Sequence, residues 1–261
     1  MNPPDAIAIE VKDLRLGYGE KVILENITFQ VRRGEVFVIL GGSGCGKSTL
    51  LKHMIGLYPP MTGEVWFGPD NLMALHGDER VRVLRKFGVM YQSGALFGSM
   101  TVLENVRLAL DEFTSLPTVA KEIVALTKLK LVAMETAANK MPADLSGGMQ
   151  KRAAIARAMA LDPGILFLDE PSAGLDPITS AGLDALIKEL ARRLGITFVV
   201  VTHELSSIFA IADRVIMLDA KTRGIIAEGR PAELRDHSSN PWVRQFFNRE
   251  AEPAVAPATA S

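Results

Sequence analysis

Two kinds of apolar pattern run along this chain. Four short stretches, Val36–Leu40, Ile165–Leu168, Thr197–Val201 and Val215–Leu218, are apolar at consecutive positions, as strands buried on both faces of a parallel sheet are. Longer stretches with apolar residues at helical spacing separate them, so the pattern predicts an α/β core with a mixed sheet. Ahead of the first run, "IAIEVKDLRLGY" and "VILENITFQV" alternate more loosely around Gly17, Gly19 and Glu20, which predicts an N-terminal antiparallel β layer with a turn. From about Ser93 to Ala160 strand patterns vanish and stretches such as "TVAKEIVALTKLKLVAM" repeat at helical spacing. A helical subdomain inserted in the α/β core, about residues 93–160, is expected there. Residues 250–261, "EAEPAVAPATAS", are rich in Ala and Pro and have no packing pattern. They are expected to form a disordered tail to a domain spanning residues 1–249.

Charge narrows the partners. Lys plus Arg number 29 against 30 Asp plus Glu, a formal net charge of -1, without the basic excess of a nucleic-acid binder, so no nucleic acid is expected as a main partner. The single cysteine, Cys45, cannot form an intrachain disulfide, and no basic start is followed by an apolar export segment; a cytoplasmic setting is expected. Apolar runs such as "VFVIL" and "TFVVV" are far shorter than the roughly 20 residues of a membrane span. Any membrane link is therefore expected to pass through a partner.

Chemistry concentrates in "LGGSGCGKSTLLKHM", Leu40 to Met54. Gly41 through Ser48 reads G-x-x-x-x-G-K-[ST] between a predicted strand and a predicted helix, the context this phosphate-binding loop requires. Glycines let successive N–H groups turn toward phosphate oxygens, and the following helix adds its N-terminal dipole. Lys47 is then expected at the β/γ-phosphates and the Ser48 hydroxyl on Mg²⁺. Cys45, among these amides, is expected to have a lowered pKa. "ILFLDE" supplies a second half: a strand ends in Asp169, placed for the metal, and Glu170 follows where an attacking water would sit. "LSGGMQKRAAIARAMALDP", Leu145 to Pro163, offers another helix start, with Ser146 ahead of it.

Together with "EPSAGLDP" and "VVVTHE", that last stretch makes the chain resemble the ATP-binding-cassette (ABC) ATPases over nearly its whole length. The motif order matches: phosphate loop, glutamine loop (Tyr91-Gln92-Ser93), signature (Leu145–Gln150), Asp169-Glu170, the Ser172–Asp176 loop and His203. The resemblance implies a P-loop fold of the ABC type, ATP and Mg²⁺ as cofactors, and a homodimer with ATP between opposed chains. It implies an ATP-binding set of Tyr18, which stacks on adenine, with Gly41, Gly42, Ser43, Gly44, Cys45, Gly46, Lys47, Ser48 and Thr49. Glu170 corresponds to the general base, His203 to the γ-phosphate contact, and Gln92 to a sensor of metal and water; Ser48, Gln92 and Asp169 are the implied metal set. Ser146, Gly147, Gly148 and Gln150 match the signature that closes on the opposite subunit's ATP, with Asp176 linking the sites. Met149 stands where the family commonly has glutamine.

Such ATPases mostly drive a separate permease, and Leu96, Phe97 and Met100 of "GALFGSM" fall where the family receives it. "MYQSGALFGSMTVLENV", "GLDPITSAGLD" and "NPWVRQFF" are most similar to the ATPases of Mla-type lipid transporters. That resemblance implies phospholipid transport at the cytoplasmic face of a bacterial inner membrane, an integral membrane permease dimer, a periplasmic MCE protein and a small STAS-type regulator. Trp242, Phe246 and Phe247 are large apolar groups that need a partner or a groove. Transport of another solute, such as an amino acid or metal chelate, and a non-transport ATPase are the alternatives; long heptad arms, a tandem cassette or a basic surface would mark the latter, and the sequence has none.

Overall fold

The computed structural model describes residues 6–250; the tail expected at 250–261 lies, from residue 251 on, outside the described residues. In chain order the elements are β1 (Ile7–Tyr18), β2 (Lys21–Arg32), β3 (Val36–Gly41), α1 (Lys47–Met54), β4 (Thr62–Phe67), β5 (Asp70–Asn71), α2 (Gly77–Leu84) and β6 (Phe87–Met90). Helices α3 (Val102–Phe113), α4 (Thr118–Leu131) and α5 (Gly147–Ala158) follow, then β7 (Ile165–Asp169), α6 (Pro177–Leu194), β8 (Thr197–Val201), α7 (Leu205–Ile211) and β9 (Arg214–Asp219). The chain continues through β10 (Gly224–Gly229), α8 (Pro231–His237) and α9 (Pro241–Asn248).

Two sheets result, one of order β2-β1-β4-β5 and one of order β10-β9-β3-β8-β7-β6. The first is antiparallel throughout; in the second, β9, β3, β8, β7 and β6 are parallel and β10 adds an antiparallel edge. The consecutive apolar runs have a simple cause. Side chains alternate across a strand, so Val36, Val38 and Leu40 of β3 enter a core with helices α3 to α7, while Phe37 and Ile39 enter one shared with α1 and the antiparallel sheet. Strands β7, β8 and β9 split the same way, Leu166/Leu168 from Ile165/Phe167, Phe198/Val200 from Val199/Val201, and Val215/Met217 from Ile216/Leu218. With both faces covered, the runs are apolar save for Thr197, whose buried hydroxyl accepts from the Gly34 N–H at 2.9 Å, and the six-stranded sheet becomes a rigid floor between two cores.

The helices between β6 and β7 are fixed by caps as well as packing. Thr101 and Glu104 form a reciprocal capping box at the start of α3. Fully buried Asn105 ties the preceding loop by accepting from the Phe97 N–H (2.7 Å) and donating to the carbonyls of Phe97, Met100 and Thr101. Among the described residues, no helix is long and apolar enough to cross a membrane.

Candidate functional site

Strands β3, β7 and β8 run parallel, so their carboxyl ends meet on one edge of the sheet, the edge where open α/β sheets bind ligands. Gly41 ends β3, Asp169 ends β7, and His203 follows β8 by two residues. Between them lies a cleft of about 500 Å³, lined by the loop residues Gly41 to Gly44, Gly46 to Thr49, and by Gln92, Glu170 and His203.

The loop needs glycine where its backbone turns left-handed and passes close to neighbours. Gly46 has φ 103°, and a Cβ there would sit 2.9 Å from the Ile23 side chain. At Gly41 a Cβ would lie 2.4 Å from the Leu218 carbonyl oxygen. Gly46 is also the N-cap of α1, so no side chain accepts from the helix's first N–H groups, and its first turn holds no acidic residue. By contrast, Asp176 caps α6 by accepting from the N–H groups of Ile178 and Thr179, each at 3.0 Å. Helix α1 thus presents unsatisfied donors and a positive dipole end to the cleft, an arrangement selective for anions. Lys47 Nζ donates to the carbonyls of Gly41 and Gly42, both at 3.0 Å, which holds the ammonium over the loop it belongs to.

Acidic groups face this positive end. Ser48 Oγ donates to Asp169 Oδ1 at 3.0 Å. Burial, and then the neighbouring Glu170 carboxylate, push the Asp169 pKa up against the Ser48 hydroxyl, Lys52 and Lys47. Glu170 is 8 % exposed with φ +47°, a strained backbone for a non-glycine residue. Its Oε1 lies 2.8 Å from Nδ1 of exposed His203, and its buried Oε2 has no partner. Two adjacent buried carboxylates suit a divalent cation. Ser48, Asp169 and Gln92 offer hydroxyl, carboxylate and amide oxygens, and the described residues contain no cluster of three or more His, Cys, Asp or Glu side chains. A sparse all-oxygen donor set of this kind fits Mg²⁺ shared with phosphate oxygens rather than held in a protein cage.

The remaining expected residues lie elsewhere. Ser146 caps α5, accepting from the Met149 N–H at 3.4 Å, with Gly147 exposed beside it and Gly148 buried against Thr179. Gln150 donates to the carbonyls of Pro142 and Leu145. None of Ser146 to Gln150 lines the cleft. Tyr18 ends β1, 44 % exposed, outside the cleft lining. Exposed Asp176 has its pKa lowered, first by hydrogen bonding to Thr179. Of Leu96, Phe97 and Met100, Phe97 lines a separate apolar groove of about 730 Å³ with Tyr91, Leu108 and Phe113, while Leu96 packs on the core.

One expectation is corrected, and a second is met from within the chain. The Cys45 thiol is buried, and desolvation pushes its pKa up, outweighing Lys47 and the backbone amides of the loop. Trp242, Phe246 and Phe247 find a groove within their own chain: α9 buries Phe247 beside Phe209 of α7 (ring centroids 5.8 Å apart), and Phe246 reaches the phosphate cleft. Sequence reasoning gave Phe246 no place in the cleft, because no local spacing links α9 to the loop. Lys151, which helical spacing alone places only within α5, also reaches the cleft walls. Its ammonium donates to the Gln92 carbonyl and, at 3.5 Å, to that of Glu170. A lysine directly after the signature is the one sequence signal for it.

The family model for ABC transporters matches residues 24–173. The intermembrane phospholipid transport system ATP-binding protein MlaF of Haemophilus influenzae is 40 % identical, over 95 % of this chain and 92 % of that protein. MlaF of Escherichia coli is 39 % identical over 95 % of this chain and 91 % of that protein. Among solved structures, a dimeric ATP-binding cassette in a post-hydrolysis state bound to ADP and Pi superposes with a TM-score of 0.76 at 33 % identity, covering 85 % of this chain and 98 % of that one.

Proposed function

The chain belongs to the ABC transporter family, and from that premise we propose that it is the ATP-hydrolysing subunit of a phospholipid transporter of the Mla type, with residues 1–249 as its ATPase domain. The observation that carries this reading is the division of labour within one chain: loop, acidic pair and His203 share one cleft, while the signature helix start lies on another surface. Its place outside the cleft supports what the family resemblance implies, a head-to-tail homodimer in which Ser146, Gly147 and Gly148 meet the γ-phosphate from a second copy, with Asp176 near the seam.

In the reaction, water attacks the γ-phosphorus of ATP in line with the departing ADP oxygen. Glu170, which lines the cleft, orients that water and takes its proton; His203, paired to Glu170 Oε1, exchanges that bond for a phosphate oxygen. Lys47 and the α1 amides stabilise charge gathering on the transferred group. Ser48, Asp169 and Gln92 would hold Mg²⁺, which would supply further charge neutralisation to the phosphates. Hydrolysis then removes the charge that holds the halves together.

The two MlaF relatives, intermembrane phospholipid transport ATP-binding proteins, support a phospholipid cargo; the resemblance to Mla-type ATPases implies a permease dimer in a bacterial inner membrane, a periplasmic MCE protein and a STAS-type regulator as partners, with this chain on the cytoplasmic face. The apolar groove around Phe97 suits a helix of the permease. Mixing Lys47→Ala chains with Ser146→Arg chains tests the shared site: each pure variant is inactive, and mixed dimers regain hydrolysis through one intact composite site. No recovery on mixing refutes the shared seam. Purification with the membrane partners and mass spectrometry of bound lipid tests the cargo; a complex carrying a soluble solute and no phospholipid refutes it.

A further inference from the structure

Helix α1 carries a second feature one turn beyond the phosphate loop. His53 is fully buried, and neither ring nitrogen has a hydrogen-bond partner. A histidine so placed forfeits the polar contacts that normally accompany burial, where a leucine of similar size would lose nothing. What distinguishes it from a leucine is a flat ring, and its neighbours are rings. The Tyr18 centroid lies 6.2 Å away with planes tilted by 46°, and that of Tyr58 lies 5.9 Å away at 88°. Tyr18 and Tyr58 meet edge to face at 5.5 Å. All three pairs fall in the range of favourable aromatic geometry, so the rings close a triangle.

The triangle joins three parts of the chain. Tyr18 sits at the end of β1, at a hairpin tip where it pairs with Lys21. His53 belongs to the last turn of α1. Tyr58 lies in the connection to β4, which the Met61 N–H anchors by donating to the Arg15 carbonyl at 2.9 Å. Thr49, which lines the phosphate cleft, precedes His53 by four residues and so shares its face of α1. The helix thereby sets the separation between phosphate loop and Tyr18 rigidly.

We propose that His53 and Tyr58 are positioning residues for the nucleotide base, holding Tyr18 as a platform on which the purine stacks. The proposal rests on reading the cleft as an ATP site. Tyr18 remains 44 % exposed, so the triangle grips the ring without covering it. A tyrosine at a hairpin tip otherwise loses side-chain freedom when a base stacks on it; a ring already packed gives up less, and the base binds more tightly. Burial holds the His53 pKa below the usual imidazole range, so the platform is backed by a neutral ring.

The test compares dissociation constants of ATP and of inorganic tripolyphosphate on the full chain, since only ATP has a base to stack. Tyr18→Ala, His53→Ala and Tyr58→Ala are each expected to weaken ATP binding roughly 3- to 10-fold and to leave tripolyphosphate binding unchanged, with Tyr58→Phe restoring the wild-type value. Truncating buried His53 also loosens α1, so Tyr58, 41 % exposed, carries the test on its own. Wild-type ATP affinity in Tyr58→Ala, equal weakening of both ligands, or failure of Tyr58→Phe to rescue overturns the proposal. Lys47→Ala separates the two readings: its loss of both ligands upholds the phosphate site whatever Tyr58 does, and unchanged binding of both by Lys47→Ala overturns the ATP site itself.

Discussion

Replacing Gly88 by alanine tests how closely the signature helix must approach the sheet. Gly88 sits in β6 opposite Leu166 of β7, and its φ lies outside the left-handed region, so alanine is allowed by the backbone and any cost is steric. A Cβ built there would lie 1.9 Å from the Ala158 carbonyl oxygen, 2.7 Å from its carbon and 2.8 Å from Leu166 Cδ2. Ala158 is the last residue of α5, so the obstacle is helix backbone and not a side chain that can turn away. Restoring even a tight contact moves α5 and β6 apart by more than about 1 Å. That movement pulls on Arg157, which donates to the Gly94 carbonyl at 2.9 Å, and on Lys151, which donates to the Gln92 carbonyl. Overpacking of this kind costs about 3 kcal/mol, the upper part of the usual range, or about 6–12 °C in melting temperature for a domain of this size. A displacement of about 1 Å in catalytic geometry is also enough to lower ATP turnover by roughly 10²-fold. Thermal unfolding and ATP hydrolysis at 25 °C read the two effects separately. Gly164→Ala is the control, since a Cβ there meets nothing within 4 Å. If Gly88→Ala melts with the wild type and hydrolyses ATP normally, α5 is not pressed on β6 and the steric account fails.

Other substitutions report on single groups. Glu170→Gln is expected to slow hydrolysis by roughly 10²–10⁴-fold, the size of a general-base contribution, with ATP accumulating in a closed dimer; single-turnover hydrolysis at the normal rate removes Glu170 as base. Asn105→Ala strips four hydrogen bonds from the loop around Phe97 and is expected to cost about 2–3 kcal/mol and to weaken co-purification with the permease, whereas an unshifted melt contradicts the anchoring role. Because Cys45 is buried with a raised pKa, a bulky maleimide is expected to label it slowly at pH 7, to abolish hydrolysis once attached, and to be held off by ATP; full activity after stoichiometric labelling argues against its place in the loop. For His53 the folded pKa lies below the unfolded one, so the unfolded chain binds the proton first. Its stabilising effect is complete above the unfolded pKa of about 6.5 and declines as pH falls below it; an equal melting shift between pH 7.5 and 5.5 in wild type and His53→Leu refutes this.

What the sequence made legible follows from how far apart the contacting residues lie in the chain. Strands β3, β7, β8 and β9 stand out because each is covered on both faces, leaving no polar position to interrupt the run. Strand β6, only Phe87–Met90 with Gly88 inside it, and the edge strand β10, half-exposed along Gly224–Gly229, show no such run: one is too short for a period and the other is covered on too little of its surface. The phosphate loop is legible for a related reason, since Gly41 to Ser48 act through consecutive backbone groups and the spacing is itself the geometry. Phe246 reaches the same cleft across about two hundred residues of chain, and neither periodicity nor spacing encodes a contact of that range.

Lys151 ties the cleft of one chain to the helix that Ser146 caps. Its side chain leaves α5 five residues after Ser146 and is 7 % exposed, with desolvation lowering its pKa against the pull of Glu170, Asp169 and Glu204. A buried ammonium is costly to retain, and it is retained here by the Gln92 and Glu170 carbonyls. These carbonyls belong to the two cleft residues nearest the attacking water in the proposed reaction. Any shift of the β7 end or of the glutamine loop when ATP is cut must either break those bonds, leaving a buried charge unpaired, or carry α5 with it. Breaking them leaves an unpaired buried cation, a loss of several kcal/mol. In the proposed head-to-tail pair, Lys151 thus ties the glutamine loop and the end of β7 in one cleft to α5, the helix that Ser146 caps.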